Sequence, residues 1–187
     1  VQPSFSFDVK GEIDTSKLKD MLGPSTDVLT GYTEGMPHAA PTWNEDQLRI
    51  LRRHAPEWID KPTPDMPELA KKLTNGNSNT PTQPFLEEGL AMGKDDIEPM
   101  VRRFFSVKIE GKDTANPLKA IGTICVGSVK KFILSDFYKK VAPNSWLTIK
   151  VKSASQQGKT LNSDQPLVHT GQMMNATTYV IRKGGAA

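Results

Sequence analysis

The chain has 187 residues, the size of one ordinary domain with a buried core. Apolar residues make up 36% and charged residues 24%, with 14 Gly and 14 Pro, so the composition is globular and loop-rich and excludes wholesale disorder. A net charge of +3 falls short of the clustered positive field of most nucleic-acid binders, and the single cysteine, Cys125, excludes an internal disulfide framework and a Cys-based zinc site.

No apolar run approaches the roughly 20 residues that span a bilayer. The opening VQPSFSFDVK lacks the charged and apolar regions of a secretory signal. The expectation is a soluble protein made in the cytoplasm, with no membrane partner.

Phe5, Phe7 and Val9 alternate with Ser6, Asp8 and Lys10, the period of a half-buried first strand. Asp14-Thr15-Ser16 offers cap oxygens to a short helix through Leu22, which Gly23-Pro24 stops. A second strand is expected over Asp27 to Gly35, with Gly31 inside it, and "AAPTWNE" is placed beside it. Asp46 to Ala55 reads as a short basic helix with Glu45 and Asp46 at its positive end. Pro56, Pro62, Pro64 and Pro67, then "TNGNSNTPTQP", make the most loop-like stretch of the chain. The region 46–84 is accordingly expected to be an insertion or arm on a single domain spanning 1–187.

A helix is expected from near Pro84 and a second from near Asp95, because Gly93 and Pro99 interrupt the pattern between them. The strongest helical signal follows, with Asn116 as cap, Pro117 in the first turn, and Leu118, Ile121, Cys125, Val129 and Phe132 on one face. "LTIKVK" and "ATTYVIRK" alternate and favour strands, and Thr170-Gly171 suggests a turn between strands in a closing hairpin. The fold class is therefore α+β: an antiparallel sheet packed against a long amphipathic helix, with a long loop-rich insertion and extended termini.

A catalytic site needs titratable groups brought together, but His38, His54 and His169 have no motif around them, and HExxH, GxSxG, the P-loop and DxDxDG are all lacking. Glu87-Glu88 and Asp95-Asp96 sit at expected helix starts, where the helix dipole explains them better than acid–base work. Cys125 on an apolar helix face reads as a small core side chain rather than a nucleophile. No catalytic residue, metal ligand or cofactor site is assigned.

Five residues are candidates for contact with other proteins. Arg52 and Arg53 are also explained by a solvated helix face. Trp58, in the Pro-rich region, is the candidate anchor, whereas Trp146 is expected in the core. Met173 and Met174, read as neighbours in a strand, would face opposite sides; one exposed for partner contact and both buried are equal alternatives.

The order of short patterns says more than any one residue. "APNSWLTIKVK", then "QPLVHTGQMMNATTYVIRK", resembles the C-terminal half of the head–tail joining proteins of tailed bacteriophages, also called tail-completion, neck or virion-morphogenesis proteins. Thr148, Ile149 and Lys150 stand at the family's Thr-Ile-Lys segment, and Pro166 to Gly171 at its Pro-Leu-Ile-Asp-Thr-Gly turn. Upstream and in the same order, "DVLTGYTEG", "AAPTWNE", "PTQPFLEEGL" and "NPLKAIGTICVGSVKKFI" resemble further family segments. The chain departs from the pattern at Gln83, where arginine is usual, at His169, where an acidic residue is common, and in lacking a glycine soon after Asn44-Glu45.

The resemblance implies a structural virion protein rather than an enzyme. It would form a ring, hexameric or dodecameric, at the neck or tail top after assembly in the host cytoplasm. Its partners would be its own copies, the portal or adaptor and stopper proteins of the head, and tail tube or sheath proteins, with at most passive contact to DNA in the lumen. The alternatives are a tail terminator that caps the tube and contacts the sheath, and, with less support, a metal-dependent nuclease component.

Overall fold

The computed structural model describes residues 26–34, 36–76, 82–155, 163–167 and 171–183. The strand expected at Phe5 to Val9, the helix expected through Leu22, and His169 with Thr170 lie outside the described residues. The elements are β1 (Thr26–Gly31), α1 (Glu45–His54), a 3-10 turn (Pro56–Trp58), α2 (Met66–Asn75), α3 (Phe85–Met92), α4 (Lys94–Ile109), α5 (Ala115–Ile133), α6 (Asp136–Val141), α7 (Trp146–Ser153), α8 (Gln172–Ala176) and β2 (Thr178–Lys183). Among the described residues the fold is α+β, with a two-stranded antiparallel sheet and a long helix, α5, packed against it.

Contacts group the chain into two compact units. The first holds β1, α3 from Leu86, α4, α5 to Val129, and β2. Its strands pair from Thr26 opposite Lys183 to Gly31 opposite Thr178. Leu118, Ile121, Cys125 and Val129 of α5 are buried, as their helical spacing predicts, with Leu86, Leu90, Ile97 and Phe104 of α3 and α4. Two glycines set how closely these layers approach. A Cβ on Gly122 would run into the Tyr179 ring of β2, and one on Gly93 would run into the Ser128 side chain of α5. Gly93 also ends α3 and precedes α4, the break expected there.

Capping moves the start of α5. The helix begins at Ala115, whose N–H donates to Asp113 Oδ1 (3.0 Å), so Asn116 lies inside the first turn rather than at the cap.

The second unit comprises residues from Tyr32 to Phe85 and from Lys130 to Thr177. Part of the stretch expected to be loop is helical here. Asp65 caps α2 by accepting the Glu68 N–H (2.8 Å), Pro67 suits the first turn, and Gly76 ends the helix at φ 66°. Met66 and Ala70 of α2 are buried.

Three strand expectations fail in instructive ways. β1 stops at Gly31, and "AAPTWNE" supplies no strand; its Asn44 instead caps α1 in a reciprocal box with Gln47. "LTIKVK" is helix α7 despite its alternation, because Ser145 accepts the Thr148 N–H (3.2 Å) and nucleates a turn that places Val151 in the core. Among the described residues the closing hairpin is also absent. Gly171, at φ 73°, leads into α8, and β2 pairs with β1, far away in sequence, rather than with a neighbouring strand.

Candidate interaction surface

In the second unit, α1 is fixed against α7 by side chains at its own N-terminus. Asn44 Nδ2 donates to the carbonyl of Ala154 (2.8 Å), and the buried Gln47 Nε2 donates to that of Val151 (3.0 Å). These bonds satisfy carbonyls at the end of α7 that have no partner within the helix. Beneath them Leu51, Ala55 and Val151 form a buried cluster, with Trp43, Ile50, Trp58, Ile59 and Leu147 packed on it.

This packing turns the opposite face of α1 outward. Arg52 and Arg53 are exposed in its last turn, where cations complement the helix dipole. With Glu45, Leu48 and Arg49 they line an open depression. Trp58 is half-buried against the Leu51 cluster, so much of its ring is committed inside the fold. Met173 is buried and Met174 half-buried; both lie on α8, so the opposite-sides expectation for a strand does not apply.

Trp146 corrects the sequence reading most clearly. Expected in the core, it is 61% exposed at the start of α7. Its ring meets the His54 ring edge-on (5.2 Å between centroids, 87°), and Lys150 Nζ lies 5.8 Å from its centroid.

A second outward face runs through α6. Phe137 (59% exposed) and Val141 (53%) are one helical turn apart on α6, and Leu134 (52%) lies in the turn between α5 and α6. On the inner side of α6 Tyr138 is buried, donates its hydroxyl to Gln83 Oε1 (3.0 Å) and packs on Phe132 (5.2 Å between centroids). Burial raises the Tyr138 phenol pKa well above its usual range, so the hydroxyl remains a donor at neutral pH. Ser135 caps α6 by accepting the Tyr138 N–H (3.1 Å), which helps fix the face that Phe137 and Val141 present.

The turn at 163–167 is held by a polar network that sequence reasoning missed. Lys152, 6% exposed, donates from Nζ to the Gln165 carbonyl (2.7 Å), which also accepts from Asn144 Nδ2 (3.1 Å). The Gln165 side chain donates to the Ile133 carbonyl (2.5 Å), and Lys139 pairs with Asp164 (2.5 Å). Burial lowers the Lys152 pKa to about 8, with Asp164 acting in the opposite direction. The sequence gives no signal for this site beyond a lysine inside "LTIKVK", a run whose alternation favours a strand.

Cys125 is buried as expected. Burial raises its pKa, and the Thr30 hydroxyl partly offsets that, so the thiol is held protonated rather than activated. Among the described residues no group of three His, Cys, Asp or Glu side chains comes together as a metal site, and no helix is long and apolar enough to cross a membrane. The described surface offers apolar and aromatic side chains beside exposed cations, chemistry suited to contact with proteins. No protein family model, characterised protein or solved structure matches the chain.

Proposed function

We propose that this chain is a structural protein of a tailed-bacteriophage neck, one subunit of a ring that completes the tail and joins it to the head. The observation that carries this reading is the order of the sequence patterns from "DVLTGYTEG" to "QPLVHTGQMMNATTYVIRK", which resembles the head–tail joining family along most of the chain. Its surface chemistry supports the same reading. A joining subunit must bind copies of itself and different proteins above and below, and Phe137, Val141 and Trp146 on their helices, with Leu134 in the turn before α6, are large apolar side chains left in solvent.

In this reading the protein acts by contact rather than by chemistry. Heterologous contacts between subunits close into a ring when the rotation between copies fits. Portal, adaptor or stopper proteins would take one side of the ring and tail tube or sheath proteins the other. The modest charge of +3 suits a passage through which DNA must move, because every phosphate neutralised by the wall would slow ejection.

Deleting the gene tests the role. Filled heads beside complete but unjoined tails support joining, whereas tails of uncontrolled length identify a tail terminator. Divalent-metal-dependent DNA cleavage by the purified protein would replace both readings with a nuclease.

A further inference from the structure

Two exposed faces of this chain each carry an apolar centre beside charges of opposite sign. On the second unit the centre is Leu134, Phe137 and Val141. At the end of α5 Lys131 stands three residues before Leu134, and on α6 Lys140 stands three after Phe137, so each lysine lies one turn from one of these apolar side chains. Both lysines are exposed, and neither makes an ion pair among the described residues.

On the first unit α3 meets α4 at Gly93. Its N–H donates to the Gly89 carbonyl (3.3 Å), and its carbonyl accepts from Ile97 (3.0 Å). Glu88 and Met92 stand one turn apart on α3, Asp95 and Pro99 one turn apart on α4 with Asp96 beside them, and all five are exposed, forming an outer stripe across the α3–α4 junction. The inward stripe is Leu86, Leu90, Ile97 and Phe104. Met92 is 51% exposed at the centre of the outer stripe, and its flanking carboxylates have no ion-pair partner among the described residues.

We propose that the Leu134–Phe137–Val141 face of one copy receives the Met92 stripe of a second copy of this chain. Met92 is an unbranched, polarisable side chain that adapts to the aromatic edge of Phe137. Lys131 and Lys140 then meet Glu88, Asp95 and Asp96 around that apolar centre, where complementary charge sets register and speeds encounter. Two different faces are used, so each copy keeps one free for the next, the head-to-tail arrangement that makes rings or open chains. The inference deepens the neck reading by naming the contact between subunits, and rests on that reading for ring closure.

Charge reversal on both faces gives a discriminating test. Glu88→Lys with Asp95→Lys makes both faces basic; Lys131→Glu with Lys140→Glu makes both acidic. Sedimentation velocity at low salt should show concentration-dependent association of the wild type that weakens as salt rises and the screening length falls from ~10 Å at 0.1 M to ~3 Å at 1 M. Each variant alone should associate at least about tenfold more weakly, and an equimolar mixture should recover association because every contact is again complementary. Circular dichroism checks folding; if a reversal unfolds, the neutral pairs Glu88→Gln with Asp95→Asn, and Lys131→Gln with Lys140→Gln, replace it and should weaken association.

A wild type that stays monomeric, a variant that associates as the wild type does, or a mixture of folded variants that stays apart overturns the contact. If changes on the α6 face alone weaken association, the occupant is not the Met92 stripe. Mass spectrometry of virions reads the neck assignment separately. Protein found in particles without recovery in the mixture sinks only the contact, and recovery without protein in particles sinks only the neck reading.

Discussion

Replacing Lys152 with Met should change how the stability of the second unit depends on pH. In the fold Lys152 has a pKa of about 8 against an ordinary 10.5, a difference of about 2.5 units. At ~1.36 kcal/mol per unit, holding the ammonium buried costs up to ~3 kcal/mol at pH 7. The folded protein releases this proton as pH passes 8 while the unfolded chain keeps it to 10.5, so the Lys152 contribution to stability rises across that window. Met fills a similar volume without charge, and the Gln165 carbonyl keeps its bond from Asn144. The variant should therefore match or exceed the wild type at pH 7, and its advantage should fall by up to ~3 kcal/mol by pH 10.5. Urea unfolding followed by tryptophan fluorescence measures this directly, because Trp43, Trp58 and Trp146 all lie in the second unit. The raised pKa values of Tyr32, Tyr138 and Cys125 act in the opposite sense at alkaline pH, but they are common to both proteins and cancel in the difference. A stability difference that stays flat from pH 7 to 10.5 would refute the reasoning.

Gly122→Ala gains up to ~1 kcal/mol of helix propensity but drives a methyl into the Tyr179 ring, so a net loss of ~1–2 kcal/mol is expected by chemical denaturation; a more stable variant would contradict the close contact of α5 with β2. Gln47→Ala removes the amide that satisfies the Val151 carbonyl and should cost ~1–3 kcal/mol, whereas a loss below about 0.5 would mean that α1 is not fixed through that bond. Trp146→Ala should change stability by less than ~1 kcal/mol and shift the remaining fluorescence to the blue, because the ring removed is the most exposed of the three tryptophans; loss of folding would show that it is a core residue after all.

Elements specified by local chemistry were legible in the sequence. The α5 face could be read because Leu118, Ile121, Cys125 and Val129 repeat at one period, and the break between α3 and α4 because Gly93 marks it, whereas Pro99 sits inside α4 without ending it. β2 also lies within the run expected to be strand. The α7 segment was not legible, because "LTIKVK" satisfies a period of two, while the cap at Ser145 and the partners of Val151 and Lys152 come from residues outside the run. The expected hairpin failed for a related reason: pairing of β2 with β1 connects opposite ends of the described chain, which no local pattern reports. Of the candidate contact residues, Arg52 and Arg53 are free of the core, Trp58 is partly committed to it and Met173 is buried. The α6 face was missed because Phe137 and Val141 look like core residues until the burial of Tyr138 shows which side faces inward.

The central claim, a structural subunit joining head to tail, is tested most directly by imaging particles from a strain lacking this gene and from its complemented parent. The account predicts filled heads and separate, full-length tails without the gene, and joined particles with density for this chain at the neck when it is restored. Joined, infectious particles without the protein would contradict it.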